Sequence, residues 1–110
     1  MSSLLFALLI AAAPLDCAPL AAWNAGRAGE AAAPGCDPTA GYREAHRLGR
    51  AMHELHRERY ALDLQAAQAT PAALGALRRR QRQIDTDLEA IRGLATIKGW
   101  PLDPAPESAR

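Results

Sequence analysis

The sequence predicts an all-α protein: an antiparallel two-helix coiled-coil hairpin with a short N-terminal cysteine-containing segment. Three observations carry this reading. Two apolar seams, stepping by three and four residues, run from Ala45 to Ala66 and from Leu74 to Ala95. Thr70-Pro71 separates them, and a connection this short excludes parallel pairing. Each seam is broken by one polar residue, Arg59 in the first and Gln81 in the second, and a fold-back near residues 67–70 sets the two side by side.

The first seam is Ala45, Leu48, Met52, Leu55, Arg59, Leu62 and Ala66; the second is Leu74, Leu77, Gln81, Ile84, Leu88, Ile91 and Ala95. These are the a and d positions of a packed helix pair. In the fold-back register Leu62 faces Leu77, Leu55 faces Ile84 and Leu48 faces Ile91. A polar layer of the Arg59/Gln81 kind lowers stability but pins register. The same register predicts facing charges at Asp63 and Arg78, His56 and Asp85, and Glu58 and Arg80. Exposed pairs of this sort contribute under about 1 kcal/mol each, so they test register more than they stabilise.

Length and composition bound the rest. The chain has 110 residues, enough for one domain. Aromatic content is 5% and much of the apolar content is alanine, which favours an extended helical form with a thin core. A formal charge of +1 argues against a bulk electrostatic role on nucleic acid or acidic membrane.

Residues 1–13 are expected to be a signal peptide. Leu4 to Ile10 form an apolar run that ends in Ala11-Ala12-Ala13. The run is too short to span a bilayer, which needs about 20 residues, so the mature chain has no transmembrane span. Met1-Ser2-Ser3 lacks a lysine or arginine and Pro14 follows Ala13, which leaves a retained, buried N-terminal helix as the alternative. Asp16 before Cys17 argues against a lipoprotein signal, which wants a small residue there.

Residues 14–37 hold both cysteines, Cys17 and Cys36. Trp23, Gly26 and Gly29 recur every three residues, and a short helix lines them along one side. In an exported chain the two cysteines read as a disulfide. It closes a loop of about 20 residues and stabilises by roughly 3 kcal/mol on the loop-entropy view. In a cytosolic chain they read as two free thiols. With no histidine nearby, zinc would lack ligands.

Cys17, the W-x-x-G-x-x-G run from Trp23 to Gly29, Cys36, Tyr42 and Gly49 together resemble a family of small bacterial envelope proteins of unknown function. Its members combine a leader, a Trp with spaced glycines, a cysteine, a Tyr–Gly helix start and a helical C-terminal part. The resemblance covers roughly residues 15–65. Arg27-Ala28 stand where the family often carries an acidic residue, and the later Tyr-Cys element of longer members is missing. The resemblance implies compartment and shape, not chemistry.

The hairpin occupies residues 38–98. Asp37 as N-cap and Pro38 at the first helical position start a helix over 38–68. Gly49 costs it up to about 1 kcal/mol. Thr70 and Pro71 start the second helix, over 71–98, and Gly99 followed by Pro101 ends it. Trp100 is expected to fold against Leu94 or Ala95. Each helix is about 40 Å long at 1.5 Å per residue. Residues 99–110 read as a disordered tail.

No catalytic group, cofactor site or metal site emerges. His46, His53 and His56 share a broad side of the first helix, but His46 lies about 10 Å from the others along the axis, so they read as solvated. An Asp85 charge near His56 would raise its pKa. Arg78, Arg79, Arg80 and Arg82 form a basic run with no interleaved aromatics for stacking bases, and Asp85, Asp87 and Glu89 offset it. Serines lie only at the termini, leaving no triad nucleophile. Tyr60 and Leu64 fall on the outer face of the first helix near the loop end, where a second chain would pair. The cysteine segment is expected at the other end, near Tyr42, Leu94 and Trp100.

The expected function is that of a non-catalytic structural or interaction protein of the bacterial cell envelope, periplasmic or otherwise exported. Its candidate interaction surface is Tyr60, Leu64, Arg78, Arg79, Arg80 and Arg82. A protein partner or self-association is implied, with no small-molecule substrate apparent and nucleic acid disfavoured. The alternative is a cytoplasmic helical regulator that binds nucleic acid or a protein partner through Arg78–Arg82. Only a pocket with converging polar groups would reopen the question of an enzyme.

Overall fold

A computed structural model describes residues 16–36 and 38–103. These form three α-helices, and no strand occurs among them. The first helix, α1, spans Pro19–Arg27; a single 3₁₀ turn follows at Pro34–Cys36; α2 spans Ala40–Gln68 and α3 spans Pro71–Lys98. The expected signal peptide at 1–13, the Asp37 cap and residues 104–110 of the tail lie outside the described residues.

Helix α1 starts at Pro19, whose fixed φ suits the first helical position. It ends in a Schellman turn. Gly29 takes φ 79°, its N–H bonds the Gly26 carbonyl, and the Glu30 N–H bonds the Ala25 carbonyl, both at 2.9 Å. At nine residues it is too short to persist alone in water. A disulfide between Cys17 and Cys36 closes the segment that contains it.

Helix α2 begins at Ala40, two residues later than Pro38 implied. A Thr39 N–H to Cys36 carbonyl bond of 3.0 Å ties the chain back to the 3₁₀ turn just ahead of the helix. Thr39 takes the N-cap position without a side-chain cap. The limits of α3 follow the expected signals. The Thr70 hydroxyl accepts the Ala73 N–H at 3.3 Å, and Gly99 sits at φ 76°. The Trp100 N–H then bonds the Ala95 carbonyl at 2.9 Å and the Gly99 N–H bonds the Thr96 carbonyl at 3.2 Å, a second Schellman turn.

Every seam position from Ala45 to Ala66 and from Leu74 to Ala95 is buried or half-buried. The fully buried ones cluster toward α1, where Ala45, Leu48 and Met52 join Leu88, Ile91 and Ala95. Toward the α2–α3 connection only Leu62, Gln81 and Ile84 are fully buried. The core is therefore a wedge, thick at the end where α1 packs on α2 and thin toward the α2–α3 connection.

Side chains link α2 and α3 at several points. Arg80 grips Glu58 with two bonds of 2.6 and 2.7 Å. Arg59 donates to Asp85 at 3.0 Å and also pairs with Asp63. Gln81 donates to Asp63 at 2.8 Å. Of the three facing pairs expected, Glu58–Arg80 forms. Asp85 and Asp63 instead serve Arg59 and Gln81, because a guanidinium on the seam reaches both carboxylates. Arg78 turns to the Gln81 side-chain oxygen at 3.5 Å.

Arg59 and Gln81 thus meet through the Asp63 carboxylate and not directly. Gln81→Leu is expected to stabilise the protein by about 1 kcal/mol, since it exchanges a buried amide for a hydrocarbon and Asp63 remains hydrated. In denaturant titrations Arg59→Leu and Gln81→Leu should be non-additive, and Asp63→Ala should abolish that coupling. Additivity in both backgrounds would show that the shared carboxylate plays no part.

Candidate functional site

The polar and aromatic groups converge at the junction of α1, α2 and the residues after α3. It begins with two glycines. A Cβ on Gly26 would lie 2.5 Å from the His46 carbonyl oxygen and 2.7 Å from the Arg50 nitrogen. One on Gly49 would lie 2.5 Å from the Trp23 carbonyl oxygen and 3.0 Å from the Arg27 nitrogen. The two helices cross backbone on backbone, which only glycine permits at both positions. Gly49, which read as a defect in a helix, is the contact that seats α1.

That crossing buries Trp23 completely. Its ring stacks on Trp100 with centroids 5.2 Å apart, and its indole N–H donates to the Pro101 carbonyl at 2.7 Å. Trp100, expected against Leu94 or Ala95, thus stacks on Trp23 of α1 and joins the core cluster that contains Ala95. Tyr42 approaches the cysteine segment as expected, its hydroxyl accepting the Ala33 N–H at 3.1 Å. Residues 99–103, expected to begin a disordered tail, are tied to α1 instead. The Arg27 guanidinium donates to the Asp103 carbonyl.

Two histidines expected to be solvated have structural partners. The His53 ring Nδ1 lies 3.0 Å from the Arg27 carbonyl and the His46 Nε2 lies 2.8 Å from the Glu30 carbonyl. A carbonyl only accepts, so each ring nitrogen carries the proton there. The Arg27 carbonyl is one of those a helix end leaves unpaired, and the Glu30 carbonyl lies just beyond α1. His53 also packs on Gly29, where a Cβ would lie 2.6 Å from its Nε2.

Beside these groups is a cavity of about 380 Å³ whose walls include Met52, His53 and His56 of α2 and Arg92 of α3. Arg27 of α1 and the pair Leu102 and Asp103 complete it. Arg27 is held by Asn24 Oδ1 at 2.8 Å and lies 5.6 Å over the Trp23 ring. Its Nε is buried without a hydrogen-bond partner. Burial lowers the Arg27 pKa, against the opposing charge of Asp103. The expectation for His56 is reversed. Its pKa is lowered, first by desolvation and then by Arg92 and His53, because Asp85 is occupied by Arg59.

The expected interaction residues lie elsewhere, along the outer part of α2 and α3. Tyr60 and Leu64 are 68% and 56% exposed. Arg79 and Arg82 are exposed, while Arg80 is engaged by Glu58. The Arg80 hydrogen bond holds the Glu58 carboxyl below its ordinary pKa. Its contribution is present above the ordinary value and is lost as pH falls through the lowered one.

Among the described residues no group of three His, Cys, Asp or Glu is placed to hold a metal ion. No helix among them is long and apolar enough to cross a membrane. The glycine crossing, the tryptophan stack and the cavity escaped the sequence reading. Two helices each carrying an unexplained glycine were the available signal for the first. Comparison with known proteins returns no matching family model, no matching curated protein and no matching solved structure.

Proposed function

We propose that this chain is a non-catalytic interaction protein of an oxidising, extracytoplasmic compartment such as the bacterial envelope, and that its long helices form an antiparallel coiled-coil hairpin. The hairpin reading is supported by the cross-helix bonds of Glu58 to Arg80, Arg59 to Asp85 and Asp63 to Gln81, together with the buried seams. The compartment is supported by the disulfide, which cytosolic reductants would oppose. The same bond weighs against the cytoplasmic regulator, as does the engagement of Arg80 by Glu58.

The observation that carries the interaction role is the exposure of Tyr60 and Leu64, four residues apart on one face of α2. A tyrosine beside a leucine at helical spacing is a contact pair that a second helix can cover. The expected partner is a second copy, giving a four-helix bundle. Sedimentation equilibrium of the oxidised chain should show a dimer, and Tyr60→Glu with Leu64→Glu should return it to monomer. A wild-type protein that stays monomeric at millimolar concentration, or a dimer indifferent to both substitutions, would refute self-association through this face.

A further inference from the structure

The cavity at the α1 junction is formed separately from the Tyr60–Leu64 face, and what it holds follows from its charges. Arg92 is paired loosely with the exposed Glu89, at 3.8 Å. His56 makes no hydrogen bond among the described residues. Arg27, by contrast, is committed to Asn24 and to the Asp103 carbonyl, and the Asp103 carboxylate offsets its charge. One guanidinium and one imidazole are therefore available to an incoming group. Met52 and Leu102 supply apolar wall beside them. A volume of about 380 Å³ is at the small end of ligand pockets.

We propose that this cavity binds a singly charged organic oxyanion, its head group between Arg92 and His56 and a short alkyl portion along Met52 and Leu102. The planar guanidinium fork matches an oxyanion edge. Asp103 repels a second negative charge, which favours a monoanion over a polyphosphate. Carboxylates, sulfate esters and phosphodiesters share this chemistry, and the source is either a soluble acid or an anionic lipid head group.

Binding should also take up a proton. In the free protein desolvation, Arg92 and His53 lower the His56 pKa, while Arg27 and Asp103 face the same space from α1 and the C-terminal segment. A bound anion adds the opposite charge and raises the His56 pKa. Affinity must then increase as pH falls from the raised value toward the free one.

The probe is hexyl sulfate, a monoanion throughout the working pH range, titrated into the oxidised full chain. The His56 ring and the Met52 methyl are followed by NMR. Saturable shifts at both, with a dissociation constant of about 1 mM or tighter, are expected. Arg92→Gln and His56→Gln should each weaken binding by about tenfold, roughly the loss of one charged contact. Arg79→Gln, on the exposed outer helix, should leave it unchanged. Affinity should rise from pH 8 to pH 6 in the wild type and stay flat in His56→Gln, a readout that a folding defect would not reproduce. Displacement of hexyl sulfate by phosphatidylglycerol vesicles identifies a lipid head group as the source, and failure to displace it identifies a soluble anion. Shifts that never saturate, or that respond to Arg79→Gln as strongly as to Arg92→Gln, would overturn the proposal.

Discussion

Gly49→Val is expected to release α1 from the rest of the molecule, at a loss of about 3 kcal/mol. A new Cβ would stand 2.5 Å from the Trp23 carbonyl oxygen and 3.0 Å from the Arg27 nitrogen. Both are backbone atoms, so no rotamer change relieves the clash and the helices must separate. Overpacking of this kind costs about 1–3 kcal/mol even where neighbours yield. Here separation also unstacks Trp23 from Trp100 and removes the Trp23 bond to Pro101. The readout is loss of the near-ultraviolet tryptophan signal and a red-shifted emission, with most helical signal retained by α2 and α3. Gly93→Ala is the matching control. It has no atom within 4 Å of a new Cβ, so it should stabilise α3 by up to about 1 kcal/mol through helix propensity alone. If both substitutions behave alike, the backbone crossing is not what holds α1.

Reduction of the disulfide should have an effect of similar size, roughly 3 kcal/mol, because the two cysteines are 19 residues apart and α1 lies wholly within the loop they close. A nine-residue helix contributes little to its own stability, so the loop constraint and the crossing with α2 together decide whether it forms. Cys36 is fully buried, and Cys36→Ser would also bury a hydroxyl; Cys17→Ala with Cys36→Ala is the cleaner variant. Urea titration should show an early transition reported by the tryptophans and a later one reported by helix content. Combining the double alanine variant with Gly49→Val should add little, since each releases the same unit. A single transition unchanged by reduction would show that the bridge contributes nothing to docking α1.

Both predictions concern the docking of α1, whose bridge the cysteine pattern implies and whose backbone crossing it does not. The long helices were readable because their signals are local. Thr70 caps α3 and Gly99 ends it where the residue types require, since capping and left-handed geometry depend on a few adjacent residues. The seams were readable for the same reason, as burial follows the three-and-four spacing along each helix. The start of α2 departs from the Pro38 signal because a turn tied to the disulfide segment precedes Ala40.

The candidate site was far less visible. His53 and His46 looked solvated because nothing within α2 tells a ring that the end of α1 lies across from it. The His56 pKa moves down and not up because desolvation, Arg92 and His53 act on it, while the Asp85 carboxylate is engaged by Arg59. Long side chains choose among several nearby partners, and that choice is made in three dimensions.

By itself, the sequence determined that this protein is helical, where α3 begins and ends, which faces of the long helices are buried, and that two cysteines were available to bridge. These follow from backbone geometry and side-chain periodicity, which act over a few residues. Only the tertiary structure decided that Gly26 and Gly49 cross, that Trp23 meets Trp100, and that Arg27, Arg92, His53 and His56 surround one cavity. Those contacts join residues as far apart in the chain as Trp23 and Trp100. Their energies come from packing and desolvation between separate elements, and no local pattern in the chain encodes them.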